Sequence, residues 1–115
     1  NVFCFTHKGA VIKLPKDATP IDFAYAVHTN IGDTAIGCEI NGRESPLQAS
    51  LNNGDMIKII TSKKVSPSLH WLSSSKTGKA RASIRKHWQG RFLDGTKKPK
   101  EYKAFQALFD YSITL

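Results

Sequence analysis

Only two cysteines occur among the 115 residues, Cys4 and Cys38, and they form no C-x-x-C pair. That scarcity excludes a disulfide-built fold, a thiolate zinc site and an iron–sulfur centre, which needs four cysteine ligands. Each cysteine sits in an apolar, strand-like stretch, so both are expected to be small buried thiols, a single structural disulfide between them being the alternative. No apolar run approaches the ~20 residues of a membrane span, and no basic-then-apolar leader opens the chain. Catalytic signatures are also missing: there is no P-loop, no H-E-x-x-H, and no Ser/His/Asp set with nucleophile context. No cofactor is implied, and catalysis by this segment is not expected. The chain opens at Asn1 and runs straight into a strand-like segment, as a piece of a longer cytoplasmic protein would.

What is abundant is positive charge, and it is unevenly placed. Residues 1–64 hold seven Lys/Arg against six Asp/Glu, a net +1; residues 65–115 hold ten against three, a net +7. A half this basic points to a polyanionic surface, with RNA the leading candidate. A solvated basic helix face is the plainer reading.

The first half alternates short apolar runs with turn residues. Val2–Thr6 and Val11–Leu14 flank His7-Lys8-Gly9-Ala10 and read as a β-hairpin. Thr19 can cap a helix, Pro20 fits its first position, and Asp22 places a carboxylate near the N-terminal dipole. Ile21, Ala24, Tyr25 and His28 recur at helical spacing, Phe23 and Val27 widen the stripe, and Asn30 and Gly32 are expected to stop it. Ala35–Ile40 is a third strand. Asn41-Gly42 is the strongest two-residue hairpin signal, since both residues tolerate positive φ. A fourth, edge strand is expected over Glu44–Leu47, and Met56–Thr61 is the last, with Ile57 and Ile59 facing one way. Hairpin, helix, hairpin and final strand within about 60 residues give an α+β fold: a β-grasp, ubiquitin-like mixed sheet crossed by one helix. Conjugation in the manner of ubiquitin is not expected, since the given sequence ends Ile113-Thr114-Leu115 and not Gly-Gly.

Ser62–Pro67 reads as a boundary, dividing a β-grasp domain over 1–64 from a basic, mainly helical segment over 65–115. Ser68–Leu72 predicts a short helical turn. From Gly78, Ala80, Ile84, Trp88 and Phe92 recur every four residues, with Lys79, Arg81, Arg85 and Lys86 off that stripe. Gly90 and Asp94-Gly95-Thr96 are expected to weaken or end this helix, Lys97–Lys100 forms a basic linker, and Tyr102–Tyr111 predicts a further amphipathic helix.

Several segments share the order and spacing of one family: Val2-Phe3-Cys4-Phe5-Thr6-x-Lys8-Gly9, Leu14-Pro15, Ala18–His28, Ile36-Gly37-Cys38, Ile40–Arg43, Pro46-Leu47, and Asn53-Gly54-Asp55 with Ile57–Thr61 and Lys63. Together they resemble the TGS domain of bacterial RelA/SpoT-type (Rsh) guanosine tetraphosphate synthetase/hydrolases. Pro67-Ser68…Trp71-Leu72 and Thr77-Gly78-Lys79-Ala80-Arg81-x-x-Ile84-Arg85 resemble the opening of that family's next, helical region; beyond Phe92 the resemblance stops. His7 departs from the pattern, standing where the family usually has Pro.

The resemblance implies a regulatory domain in a parent GTP pyrophosphokinase and 3′-pyrophosphohydrolase. It implies that His28 touches the 3′ CCA end of uncharged transfer RNA when the parent is on the ribosome. In SpoT-like members it also implies binding of acyl carrier protein, and contact with the enzyme's own catalytic domains is the further alternative. An imidazole at a helix C-terminus can stack on a base, donate to ribose or phosphate, and gain cationic character from the helix dipole. A plain helix-capping role is the competing reading. Arg43, after the Asn41-Gly42 turn, is the second candidate. Lys8, Lys13 and Lys58 could position phosphates, and Arg81 and Arg85 could meet ribosomal RNA.

Overall fold

The computed structural model describes residues 1–93, the last four by their backbone alone. Five strands form one mixed sheet in the order β2-β1-β5-β3-β4: β1 Val2–Thr6, β2 Val11–Leu14, β3 Ala35–Ile40, β4 Arg43–Ser45 and β5 Met56–Thr61. β1 runs parallel to β5, and the other neighbours are antiparallel. This is the expected α+β, β-grasp arrangement.

Asn41 and Gly42 take φ of 53° and 83°, the pairing a two-residue hairpin requires. The turn places Ile40 directly opposite Arg43. β4 therefore starts at Arg43, one residue before the expected Glu44. It ends at Ser45, because Pro46 has no N–H to continue the ladder.

The helix α1 covers Pro20–Val27 and stops there. A second helix, α2, follows over Thr29–Asp33. Asn30 and Gly32 thus lie inside α2 and do not end α1. The break is made one step earlier, by the extended backbone of His28. Gly32 serves a packing purpose instead: a Cβ there would sit 2.3 Å from the Tyr25 ring, so only glycine lets α2 lie against it.

Beyond the sheet, α3 covers Trp71–Ser74 and α4 covers Gly78–Leu93. The helical turn expected over Ser68–Leu72 is present, with Trp71 N donating to the Ser68 carbonyl and Leu72 N to the Leu69 carbonyl, both at 3.2 Å, and it leads directly into α3. Gly90 does not end α4, since one glycine costs a helix only about 1 kcal/mol. The expected helix over Tyr102–Tyr111 and the Asp94–Lys100 breaker and linker lie outside the described residues.

The core has two lobes sharing α1. Phe23 packs with Cys4, Leu14, Ala18, Leu51 and Ile57 against the sheet. Ile21 and Tyr25 pack with Cys38, Leu47, Trp71, Leu72, Ala80 and Ile84. Of the stripe expected on α4, Ala80 and Ile84 are buried and Trp88 is partly buried, all against the β-grasp unit itself. Trp88 adds a hydrogen bond from Nε1 to the Pro67 carbonyl, 2.9 Å.

Asp22 joins the halves. Its carboxylate, fully buried, accepts from Thr19 N at 2.9 Å as half of a capping box. It also accepts from Lys76 N at 2.9 Å, Thr77 N at 2.9 Å and Thr77 Oγ1 at 3.0 Å. Thr77 Oγ1 in turn accepts from Ala80 N, capping α4. The sequence reading gave Asp22 only a role at the helix start, which is half of what it does.

Asp22→Ala leaves the backbone N–H groups of buried Thr19 and of Lys76 and Thr77 without their carboxylate acceptor. It should lower the unfolding free energy by about 2–3 kcal/mol, measured by urea denaturation, with a loss of both helical and near-ultraviolet signal. Burial pushes both thiols up, with Asp55 adding to the effect at Cys4. Since the thiolate is the reactive form, neither cysteine should react with iodoacetamide at pH 8 until the chain is unfolded; mass spectrometry reads this directly.

Candidate functional site

His28 occupies the joint between α1 and α2, and both helices use it. Its backbone N–H closes α1 onto the Ala24 carbonyl at 3.2 Å, and its carbonyl accepts from Ile31 N and Gly32 N. Its side chain caps α2, with Nδ1 accepting from Asn30 N at 3.0 Å. That bond requires a lone pair on Nδ1 and so puts the ring proton on Nε2. The imidazole is exposed and has one face and one N–H donor to offer. This revises the expected chemistry. A ring that caps α2 through Nδ1 presents Nε2, and not Nδ1, to a ligand.

Tyr25 supports the joint from beneath. Its phenol donates to Asp33 Oδ1 at 2.8 Å, tying the end of α2 back to α1. Burial, then this bond and the Asp33 charge, pushes the phenol well above its ordinary range, so it remains a donor at any pH the protein meets.

The other sequence candidates do not gather around His28. Lys8 lies in the β1–β2 turn, at the rim of an apolar cleft of about 330 Å³ that Phe23, Val27, Ile31 and Ile59 also line. His7 is exposed on the same rim. Lys13 pairs with Phe3 between the inward-facing Ile12 and Leu14, and Lys58 stands between Ile57 and Ile59. Strand alternation therefore puts both lysines on the outer sheet face, away from the helices. Arg43 is exposed at the start of β4. Arg81 is held by its neighbour: its Nε donates to the Ser75 carbonyl at 3.1 Å, fixing the turn into α4. Arg85 lies one turn further along that helix, partly buried.

A cleft that begins next to His28 escaped the sequence reading, in which only Lys86 of its residues was named, as a cation off the α4 stripe. Thr29 and Asp33 of α2 face Ser83, Lys86 and His87 of α4 across a polar cleft of about 340 Å³. No local spacing links these residues, because only the docking of α4 brings them together.

The family model for the TGS domain matches residues 2–61, which includes the whole sheet, α1, α2 and His28. The chain belongs to the TGS domain family. It is 59% identical over 86 residues to a GTP pyrophosphokinase rsh of Brucella ovis. It is 52% identical over 87 residues to a GTP pyrophosphokinase of Streptomyces coelicolor, and 45% over 85 to one of Myxococcus xanthus. These matches cover 75%, 74% and 74% of this chain but 12%, 10% and 11% of the relatives, so the chain spans about a tenth of their length. An 86-residue match is longer than the TGS segment itself. The likeness therefore runs on into residues that pack beside the TGS domain.

Within this TGS domain the joint should be sensitive to bulk at one place. Gly32→Ala drives a methyl into the Tyr25 ring, and overpacking of this kind costs about 1–3 kcal/mol. The unfolding midpoint should fall accordingly. The His28 and Asn30 amide resonances should shift more than those of β1 and β2, which a two-dimensional NMR comparison would register.

Proposed function

We propose that the chain is the regulatory, ligand-sensing domain of a stringent-response guanosine tetraphosphate synthetase/hydrolase of the RelA/SpoT type. In this reading His28 meets the 3′ CCA end of uncharged transfer RNA, and the parent protein works in the bacterial cytoplasm, on the ribosome. The observation that carries it is the exposed His28 ring, oriented by its bond to Asn30 N. An oriented aromatic ring with a free face can stack on an unpaired base, and its Nε2–H can donate to a ribose or phosphate oxygen. Such a site needs little charge of its own, in keeping with the net +1 of residues 1–64. Similarity to proteins named GTP pyrophosphokinase supports the stringent-response setting. Among the described residues no helix is long and apolar enough to cross a membrane.

One observation favours a second reading, in which the domain binds a protein such as acyl carrier protein or the parent's catalytic domains. The outer sheet face exposes Phe3, Val11, Met56 and Ile60, an apolar surface with no covering layer among the described residues.

The capping bond dictates how the RNA reading is tested. His28→Ala removes the ring and also the cap, worth about 1 kcal/mol, so a weakened variant would be ambiguous. His28→Asn keeps a side-chain acceptor suited to capping α2 and removes only the ring. It should retain wild-type stability and bind uncharged transfer RNA about tenfold more weakly, the size of one lost stacking contact. The wild type should in addition prefer uncharged over aminoacylated transfer RNA at every salt concentration in a filter-binding series. Equal binding by wild type and His28→Asn, governed by salt alone, rules out RNA contact at His28.

A further inference from the structure

The cleft between α2 and α4 begins at Thr29, the residue after His28, and has an unusual mix of groups. Lys86 supplies an exposed ammonium, Asp33 a carboxylate, and Thr29 and Ser83 hydroxyls. Asp33 is half committed: Oδ1 takes the Tyr25 phenol, while Oδ2 has no hydrogen-bond partner among the described residues. The Tyr25 bond fixes the carboxylate's direction and leaves its second oxygen as an acceptor on the cleft.

The charge balance narrows what fits. A free phosphate would meet Asp33 as well as Lys86, and a bare sugar would leave Lys86 unused. A ribonucleotide unit supplies both partners at once, a phosphate for the ammonium and a 2′-hydroxyl for the carboxylate oxygen.

We propose that this cleft holds a ribose–phosphate unit of the RNA strand that meets His28, with Lys86 taking the phosphate and Asp33 accepting from a 2′-hydroxyl. This rests on the RNA reading of His28 and extends it: the binding site crosses from the TGS domain onto α4, and Asp33 distinguishes RNA from DNA.

The test uses the 115-residue chain and a stem-loop RNA that copies an acceptor end with its CCA terminus. A second version carries 2′-deoxyribose in its last four nucleotides. Lys86→Gln should weaken binding of both about fivefold and lower the salt dependence by about one ion. Asp33→Asn, which keeps the Tyr25 bond, should weaken the all-ribose strand about fivefold and leave the deoxy version unchanged. Lys13→Gln, on the outer sheet face, sets the baseline for removing any one cation. If the wild type binds in a His28-dependent way, yet Lys86→Gln matches Lys13→Gln and Asp33→Asn keeps the full ribose preference, the cleft assignment is wrong and the His28 site stands. If the wild type shows no His28-dependent binding at all, both fall together.

Discussion

A single buried carboxylate determines how the two parts of this chain sit on each other. Asp22 lies three residues into α1, with no solvent contact, and accepts hydrogen bonds from Thr19 on one side and from Lys76 and Thr77 on the other. A buried anion is tolerable only when its lone pairs are filled. Here the filling groups are backbone N–H donors that two helix starts would otherwise leave unpaired. The same oxygens therefore begin α1 and hold the entry to α4. Removing them unbalances both helix starts, which is why the effect of one residue extends to two segments.

The remaining geometry follows along α1. Phe23 faces the sheet, while Ile21 and Tyr25 face Trp71, Leu72 and Ile84, so the helix is packed on both sides and cannot tilt independently of either. Tyr25 then reaches Asp33 and Gly32 lies against its ring, fixing α2. His28, between the two helices, receives its orientation from both. An exposed residue is thus positioned by buried ones: the ring is free at its outer face and Nε2, and constrained at Nδ1 and through its backbone. Binding with a ring already oriented avoids much of the ordering cost that a loose surface histidine would meet.

Period and turn chemistry made most of the β-grasp legible from residues alone. Val2–Thr6, Val11–Leu14, Ala35–Ile40 and Met56–Thr61 are where alternation and flanking turns put them, and Asn41-Gly42 forms the hairpin its positive-φ tolerance announces. The errors share a cause: a local signal with two uses. Gly32 looks like a helix stop, yet it is a contact surface for a tyrosine seven residues earlier. Asp22 looks like a cap, and is one, but its outer oxygen serves residues more than fifty positions on. Spacing correctly marked Ala80 and Ile84 as buried and gave no indication of what buries them. His28 was singled out by resemblance; the capping bond that orients it depends on a chain reversal no periodicity encodes.

Charge shows the same limit from another side. Counting placed the cations in residues 65–115 and so drew attention to Arg81 and Arg85. In the fold, Arg81 is tied to the Ser75 carbonyl and belongs to the turn that Asp22 anchors. Lys13 and Lys58, equally eligible by count, lie on the face opposite the helices. Lys86 lay off the helical stripe and was named only as one of four basic residues, yet α4 docks so that it lines the cleft next to Thr29. Net charge sets how strongly a domain is drawn to a polyanion in general. Which cation serves a particular site is decided by packing: here by Ile84 and Ala80, whose burial fixes the rotation of α4 and so the side on which Lys86 emerges.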